Sequence, residues 1–335
     1  MSPGLATPGA VYRQCAALRA GRRGYNAAPF SFPRSRTEDV KDGLQELVAS
    51  GLALVRRVSD LLPAAGRVDW SQTRAAAWRR EFGGRFVPLA HVDDIELDDL
   101  LSIDRQKEQL ETNTAQFVAG HPANNALLWG ARGTGKSSLI HALLNRYADR
   151  GMRLVEVDKR ALAGVSDIAT SLREEPFRFV IVCDDLSFEA DDPSFKELKS
   201  ALEGSVFARS ENVVIYATSN RRHLIPEYMS DNLETGHRGG EIHEGEAVEE
   251  KISLSDRFGL WLSFYPFRQD EYLEVVRHWL ERLAERHGAS CPWTEEVRKA
   301  ALQWALARGV RSGRTAQYFA RHWVGKALLE RVETA

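Results

Sequence analysis

The chain has 335 residues, with 45 Lys and Arg against 47 Asp and Glu, 43% apolar residues and three cysteines. Its longest apolar runs, FVIVC and VVIYA, are of strand length and fall far short of the roughly 20 residues a membrane helix needs, which excludes a transmembrane protein. Cys15, Cys183 and Cys291 lie far apart with no C-x-x-C spacing, so neither a disulfide framework nor a zinc module is indicated, and a reducing, cytoplasmic setting fits.

The net charge of -2 hides an uneven distribution: residues 1–90 hold 14 basic and 7 acidic side chains, and the remainder is acidic on balance. Residues 1–36 read as a basic, poorly ordered leader, in which Arg13, Arg19, Arg22 and Arg23 occur without an acid; an organelle transit segment and a basic arm both match that composition. From Thr37 to Leu62, Leu44, Leu47, Val48, Leu52, Leu54 and Val55 recur at near-helical spacing, with a bend at Gly51 and a break at Pro63 and Gly66. SQTRAAAWRREFGGRF predicts a second helix, capped by Ser71, stopped by Gly83-Gly84 and anchored by Trp78, so that 37–90 forms a helical N-terminal region.

From Val92 onward short β-rich runs alternate with amphipathic stretches, the pattern of a parallel sheet covered by helices. Strands are predicted at Asn125–Trp129, Arg153–Val157, Phe179–Cys183 and Val213–Thr218, with helices near Gln106–Ala119, Ser137–Asp149 and Ser194–Glu203. Beyond Phe267 the strand signal ends, and Tyr272, Leu273, Val275, Val276, Trp279, Leu280 and Leu283 trace a helical stripe, followed by helices near Trp293–Ala307 and Arg314–Val332. The expected fold class is α/β: a core over 91–267 with a parallel sheet, an acidic loop insertion at 231–251, and an all-helical lid over 268–335.

The sharpest chemical signal is GARGTGKS, which matches G-x-x-x-x-G-K-[ST] between a strand and a helix. In such a phosphate loop, Gly130, Ala131, Arg132, Gly133, Thr134, Gly135, Lys136, Ser137 and Ser138 wrap the phosphates; the glycines admit close backbone approach and the helix N-terminus adds positive potential. Lys136 then contacts the β- and γ-phosphates and Ser137 ligates Mg2+. RFVIVCDDLSFE ends a strand on two carboxylates: Asp184 for the metal, and Asp185 to orient or deprotonate the attacking water. The lesser alternative is that Asp185 caps the following loop, with Glu189 taking its place as base. A third strand ends in Thr218, Ser219 and Asn220; Asn220 can hold the lytic water or sense the γ-phosphate, although Ser-Asn is also ordinary turn chemistry.

This order of motifs resembles the AAA+ ATPases over about residues 95–330. More narrowly, the strings NNALLWGARGTGKSS, VEVDK, CDDLSFE, LEGS, YATSNRRHL, EKISLSDRFGL and RSGR, together with WRREF, resemble a bacterial AAA+ family defined as a domain of unknown function. The Asp-Asp pair is also similar to the initiator and helicase-loader branch. The resemblance implies a P-loop AAA+ core that binds ATP and Mg2+ and works as a homo-oligomer. It places Arg257 as an arginine finger acting on a neighbouring subunit's nucleotide, against a local pairing with Asp256 or another acid. It gives Arg314, or the nearby Arg311, as the lid's sensor of the γ-phosphate, and Leu101 and Ile103 as packing for the adenine ring. The 231–251 stretch reads as a solvated loop that touches a neighbour or client. That client is an unidentified protein or nucleic acid, and no membrane is implicated. A nucleotide-dependent binding module with little hydrolysis and a P-loop kinase are the competing readings.

Overall fold

The computed structural model describes residues 47–48, 50–52, 68–80, 84–188, 198–199, 202, 211–220, 237–238, 241–242 and 257–333. The chain divides into two units, 1–64 and 65–335. Of the first, only 47–48 and 50–52 are described, and they are helical. The leader, Glu189 and most of the acidic insertion fall outside the described residues.

The second unit is an α/β structure built on a seven-stranded sheet. In chain order its elements are β1 (Ala75–Arg79), β2 (Arg85–Pro88), α1 (Asp104–Val118), β3 (Ala126–Gly130), α2 (Lys136–Tyr147), β4 (Met152–Val157), α3 (Val165–Leu172), β5 (Arg178–Cys183) and β6 (Val213–Ser219). A separate two-stranded pair, β7 (His237–Arg238) and β8 (Glu241–Ile242), precedes the last sheet strand, β9 (Leu260–Phe264). Three lid helices close the unit: α4 (Gln269–His287), α5 (Glu295–Arg308) and α6 (Gly313–Glu333). The strand order is β2-β1-β4-β5-β6-β3-β9, parallel throughout except for the β1–β2 hairpin.

Two core layers follow from strand alternation. On β5, Val180 and Val182 face the layer that holds α1, α2 and the lid, whereas Phe179, Ile181 and Cys183 face the layer that holds α3. Burial on both faces accounts for the near-continuous apolar runs of β3, β5 and β6. Cys183 belongs to this core, and burial pushes its thiol up to about 12, so it stays a thiol. Polar contacts cross the first layer at Tyr216: its Oη meets Thr114 Oγ1 at 2.8 Å and accepts from Asn113 Nδ2 at 3.1 Å, fixing α1 to the middle of β6. Burial raises the Tyr216 phenol to about 12, so it remains neutral there.

One expectation is overturned. The segment SQTRAAAWRREFGGRF, predicted as a helix in a helical region reaching residue 90, forms the β1–β2 hairpin, so the sheet begins at Ala75. The alanines favour a helix locally, but Ala75, Ala76 and Ala77 are buried between β2 and β4, and the ladder Ala75↔Leu154 to Trp78↔Val157 outweighs propensity. Trp78 is the expected packing anchor: its ring meets Phe86 edge-on at 4.8 Å.

Candidate active site

The phosphate loop leaves the C-terminal end of β3 and enters α2. Gly130 sits at φ 132°, and a Cβ there would lie 1.9 Å from the Phe264 carbonyl oxygen of β9, so only glycine fits. The next residue, Ala131, donates its N–H to that same oxygen at 3.0 Å. Gly133, at φ 75°, runs under the lid: a Cβ would meet Ser312 Oγ at 2.9 Å, and its carbonyl accepts from Arg314 N at 3.2 Å. Thr134 Oγ1 donates to Ala131 O at 2.8 Å and closes the loop internally.

Lys136 is buried, and its ammonium donates to Gly130 O at 3.0 Å, Ala131 O at 2.8 Å and Asn220 Oδ1 at 3.3 Å. Burial lowers its pKa from the ordinary lysine value, while Asp184 and Asp185 pull the other way. Ser137 Oγ donates to Asp184 Oδ1 at 2.7 Å, and that oxygen also accepts from Thr218 Oγ1 at 2.5 Å. A serine hydroxyl and a carboxylate facing each other are the hard oxygen donors Mg2+ prefers, and such a pair fits an ion that keeps its waters and substrate phosphates as further ligands. Asp185 takes a left-handed backbone, φ 51°, held by its N–H donating to Thr218 Oγ1 at 2.9 Å. Its Oδ1 accepts from Asn220 Nδ2, and its Oδ2 lies 4.0 Å from the Arg132 guanidinium.

β6 lies between β3 and β5, which is how Thr218 and Asn220 come to face both the loop and the two carboxylates. These groups form one end of a cleft of about 660 Å3 between core and lid. Leu101, Ile103, Phe267 and Trp279 line its apolar side, and Ile103 Cδ1 would touch a Cβ placed on Gly135 at 3.4 Å. Of the two candidate sensor arginines, Arg314 lines the cleft and Arg311 does not; the Arg311 carbonyl instead accepts from Phe267 N at 3.1 Å. Arg257 also lies outside the lining of the cleft formed by its own chain.

A second cluster, unmarked by any sequence motif, ties the lid to the core. Asp99, with only 1% of its side chain exposed, accepts from Glu96 N at 2.8 Å through Oδ2, and its Oδ1 meets both His278 Nε2 at 2.9 Å and the Arg282 guanidinium of α4. Asn145 of α2 donates to Asp93 O and Ile95 O at 2.8 and 2.9 Å, so the strap 93–100 joins the phosphate-loop helix to the lid. Burial lowers the pKa of the His278 imidazole, against the pull of Glu281 and Asp98. The i, i+4 spacing of His278 and Arg282 on the lid stripe was the available signal, but nothing in the sequence pairs them with Asp99.

A family model described as "Protein of unknown function (DUF815)" matches residues 71–327. No curated protein sequence matches the chain. Among solved structures, a point variant of Thermotoga maritima RuvB is 17% identical with a TM-score of 0.45, and the match covers 68% of this chain and 63% of that one. The Aeropyrum pernix ORC1 protein in complex with DNA is 20% identical with a TM-score of 0.45, covering 65% and 58%. Replication initiator DnaA bound to AMPPCP and single-stranded DNA is 13% identical with a TM-score of 0.44, covering 72% and 69%. The chain thus spans less than two thirds of these RuvB and ORC1 structures.

Proposed function

The chain belongs to this family, DUF815, and from that premise we propose that it is an AAA+ ATPase that hydrolyses MgATP at a subunit interface to move a partner. The observation that carries the reading is the convergence at one end of the cleft: Lys136 reaches Asn220, Asn220 reaches Asp185, and Ser137 reaches Asp184. In it the loop amides and Lys136 bind the phosphates, Ser137 and Asp184 hold Mg2+, and Asp185 with Asn220 orients the water. The bound Mg2+ supplies Lewis-acid stabilisation of charge on the phosphate oxygens. Leu101 and Ile103 pack the adenine, and Arg314, placed on the cleft by α6, couples the nucleotide to lid position. Arg257, at the arginine-finger position that the resemblance implies, acts at a neighbour's nucleotide and hence in a homo-oligomer built by head-to-tail contacts.

The client is a protein or a nucleic acid, with the basic residues of 1–90 as the means of contacting phosphates. No helix among the described residues is long and apolar enough to cross a membrane. We place the protein in the cytoplasm, on the cysteine pattern.

The deciding experiment is steady-state ATP hydrolysis against protein concentration, with light scattering on the same samples and with DNA, RNA or neither added. Specific activity that rises as particles grow supports the interfacial site, and Asp185→Asn should bind ATP yet not turn over. ATP binding with negligible hydrolysis at every concentration would instead select an ATP-dependent assembly module. That second reading draws on the short reach of Asp185 and on the grip of Asn220 on its Oδ1.

A further inference from the structure

Arg132 is the third residue of the phosphate loop, and its guanidinium faces Asp185 Oδ2 at 4.0 Å, with side-chain exposures of 77% and 59%. An ion pair this open to water contributes about 0–1 kcal/mol to a fold, so stability does not account for the cation. It is close enough to Lys136 to weigh against that residue's charge, and it lines the cleft beside Lys136, Asp185 and Asn220. The loop therefore carries a long-armed cation at the end of the cleft where Lys136 and the two carboxylates meet. Asp185, for its part, is bracketed by Asn220 at Oδ1 and Arg132 at Oδ2.

We propose that Arg132 is a catalytic arginine supplied in cis, whose guanidinium exchanges Asp185 for the γ-phosphoryl group of bound MgATP. The proposal rests on the ATPase reading above. In the step, the water oxygen bonds to the γ-phosphorus, and the bond to the bridging oxygen breaks with its electron pair left on ADP. One water proton stays on the phosphate and the other is released to solvent. Arg132 neutralises charge on the transferring group, and its departure from Oδ2 frees Asp185 to orient the water. Its planar fork can engage two phosphoryl oxygens in one fixed bidentate geometry, which the rotatable point charge of a lysine does not impose. Because the cation comes from the loop that binds the phosphates, it needs neither lid closure nor a neighbour, and basal turnover is set within one chain. Arg257 of an adjoining subunit then adds to a site already competent at a lower rate.

The test compares wild type with Arg132→Ala, Arg132→Lys and Arg257→Ala. It uses calorimetric titration with ADP and with ADP plus aluminium fluoride, a mimic of the transferring phosphoryl group, and single-turnover hydrolysis at a protein concentration where scattering shows no particles. Arg132→Ala should keep ADP affinity within about threefold while losing about 100-fold of the tightening that fluoride gives, with turnover slowed to match. Arg132→Lys should recover part of both. Full fluoride-dependent tightening in Arg132→Ala together with its loss in Arg257→Ala would overturn the proposal and leave the ATPase reading standing. A parallel loss of ADP and fluoride-complex affinity would also overturn it, by assigning Arg132 to ground-state binding. A wild type that binds ADP but neither tightens with fluoride nor hydrolyses ATP would bring down the ATPase reading itself, and the proposal with it.

Discussion

Lys136 and Asp184 are held by main-chain carbonyls, by Ser137 and by Thr218 of the adjoining strand, whereas the opposite wall of the cleft hangs on the charge pair of Asp99 and Arg282, with His278 bonded to the same carboxylate and Arg286 3.4 Å from Asp94 at the margin. The first wall is set by backbone geometry in the middle of a parallel sheet and has little to adjust. The second is set by side-chain charges on α4, in a lid that two main-chain hydrogen bonds, Arg314 N to Gly133 O and Phe267 N to Arg311 O, help to register near the loop. In the ATPase proposed above, a fixed wall would suit phosphate positioning and a charge-held wall a lid whose angle responds to what is bound.

Substitutions should separate the two walls. Lys136→Ala should weaken ATP binding by about three orders of magnitude while leaving the unfolding midpoint of the nucleotide-free protein nearly unchanged, as titration and thermal melts would show. Asp99→Asn should do the reverse: it leaves the Arg282 guanidinium facing a neutral amide and should cost about 3 kcal/mol in urea unfolding, with a smaller loss of nucleotide affinity. Should Asp99→Asn leave stability intact, the lid is not held as described. Gly130→Ala attacks the fixed wall where it cannot yield, and should cost about 2 kcal/mol in the same assay.

The smallest effect expected is at His278. Because burial depresses its folded pKa, its contribution to stability is complete above the ordinary imidazole value and is lost as pH falls toward the depressed one. The groups facing it are Asp98, Asp99, Glu281 and Arg282. Melts between pH 7.5 and 5 should therefore flatten in His278→Gln relative to wild type.

The parts that were legible in the sequence were those where one local rule decides. β3, β5 and β6 announced themselves as doubly buried apolar runs, and the phosphate loop, Asp184, Asp185 and Asn220 lie at their ends in the structure. The lid helices were equally plain from the stripe Tyr272–Leu283. What escaped were elements decided by neighbours. The alanines of β1 favour a helix until β4 is beside them, and β9, LWLSF, is an edge strand that is only partly buried, so it lacks the continuous apolar run of the inner strands. The placement of Asp99 against Arg282 depends on a fold-back across 183 residues, which no local pattern encodes. Arg132 was visible as a loop residue, but its approach to Asp185 required the sheet order.

The strand β9 carries a mechanical consequence. It starts three residues after Arg257, passes its Phe264 carbonyl to Ala131 and against Gly130, and ends three residues before Phe267, whose N–H is anchored on the Arg311 carbonyl. Arg257, the contact to the phosphate loop and the anchor of the lid thus lie on eleven consecutive residues, 257–267, centred on the five-residue edge strand. Such a strand is placed to act as a pushrod, since Phe264 pairs with Gly130 so closely that no side chain fits between the two backbones. If Arg257 acts on a neighbour as proposed, a pull on that turn would reach the loop and the lid along the same short segment.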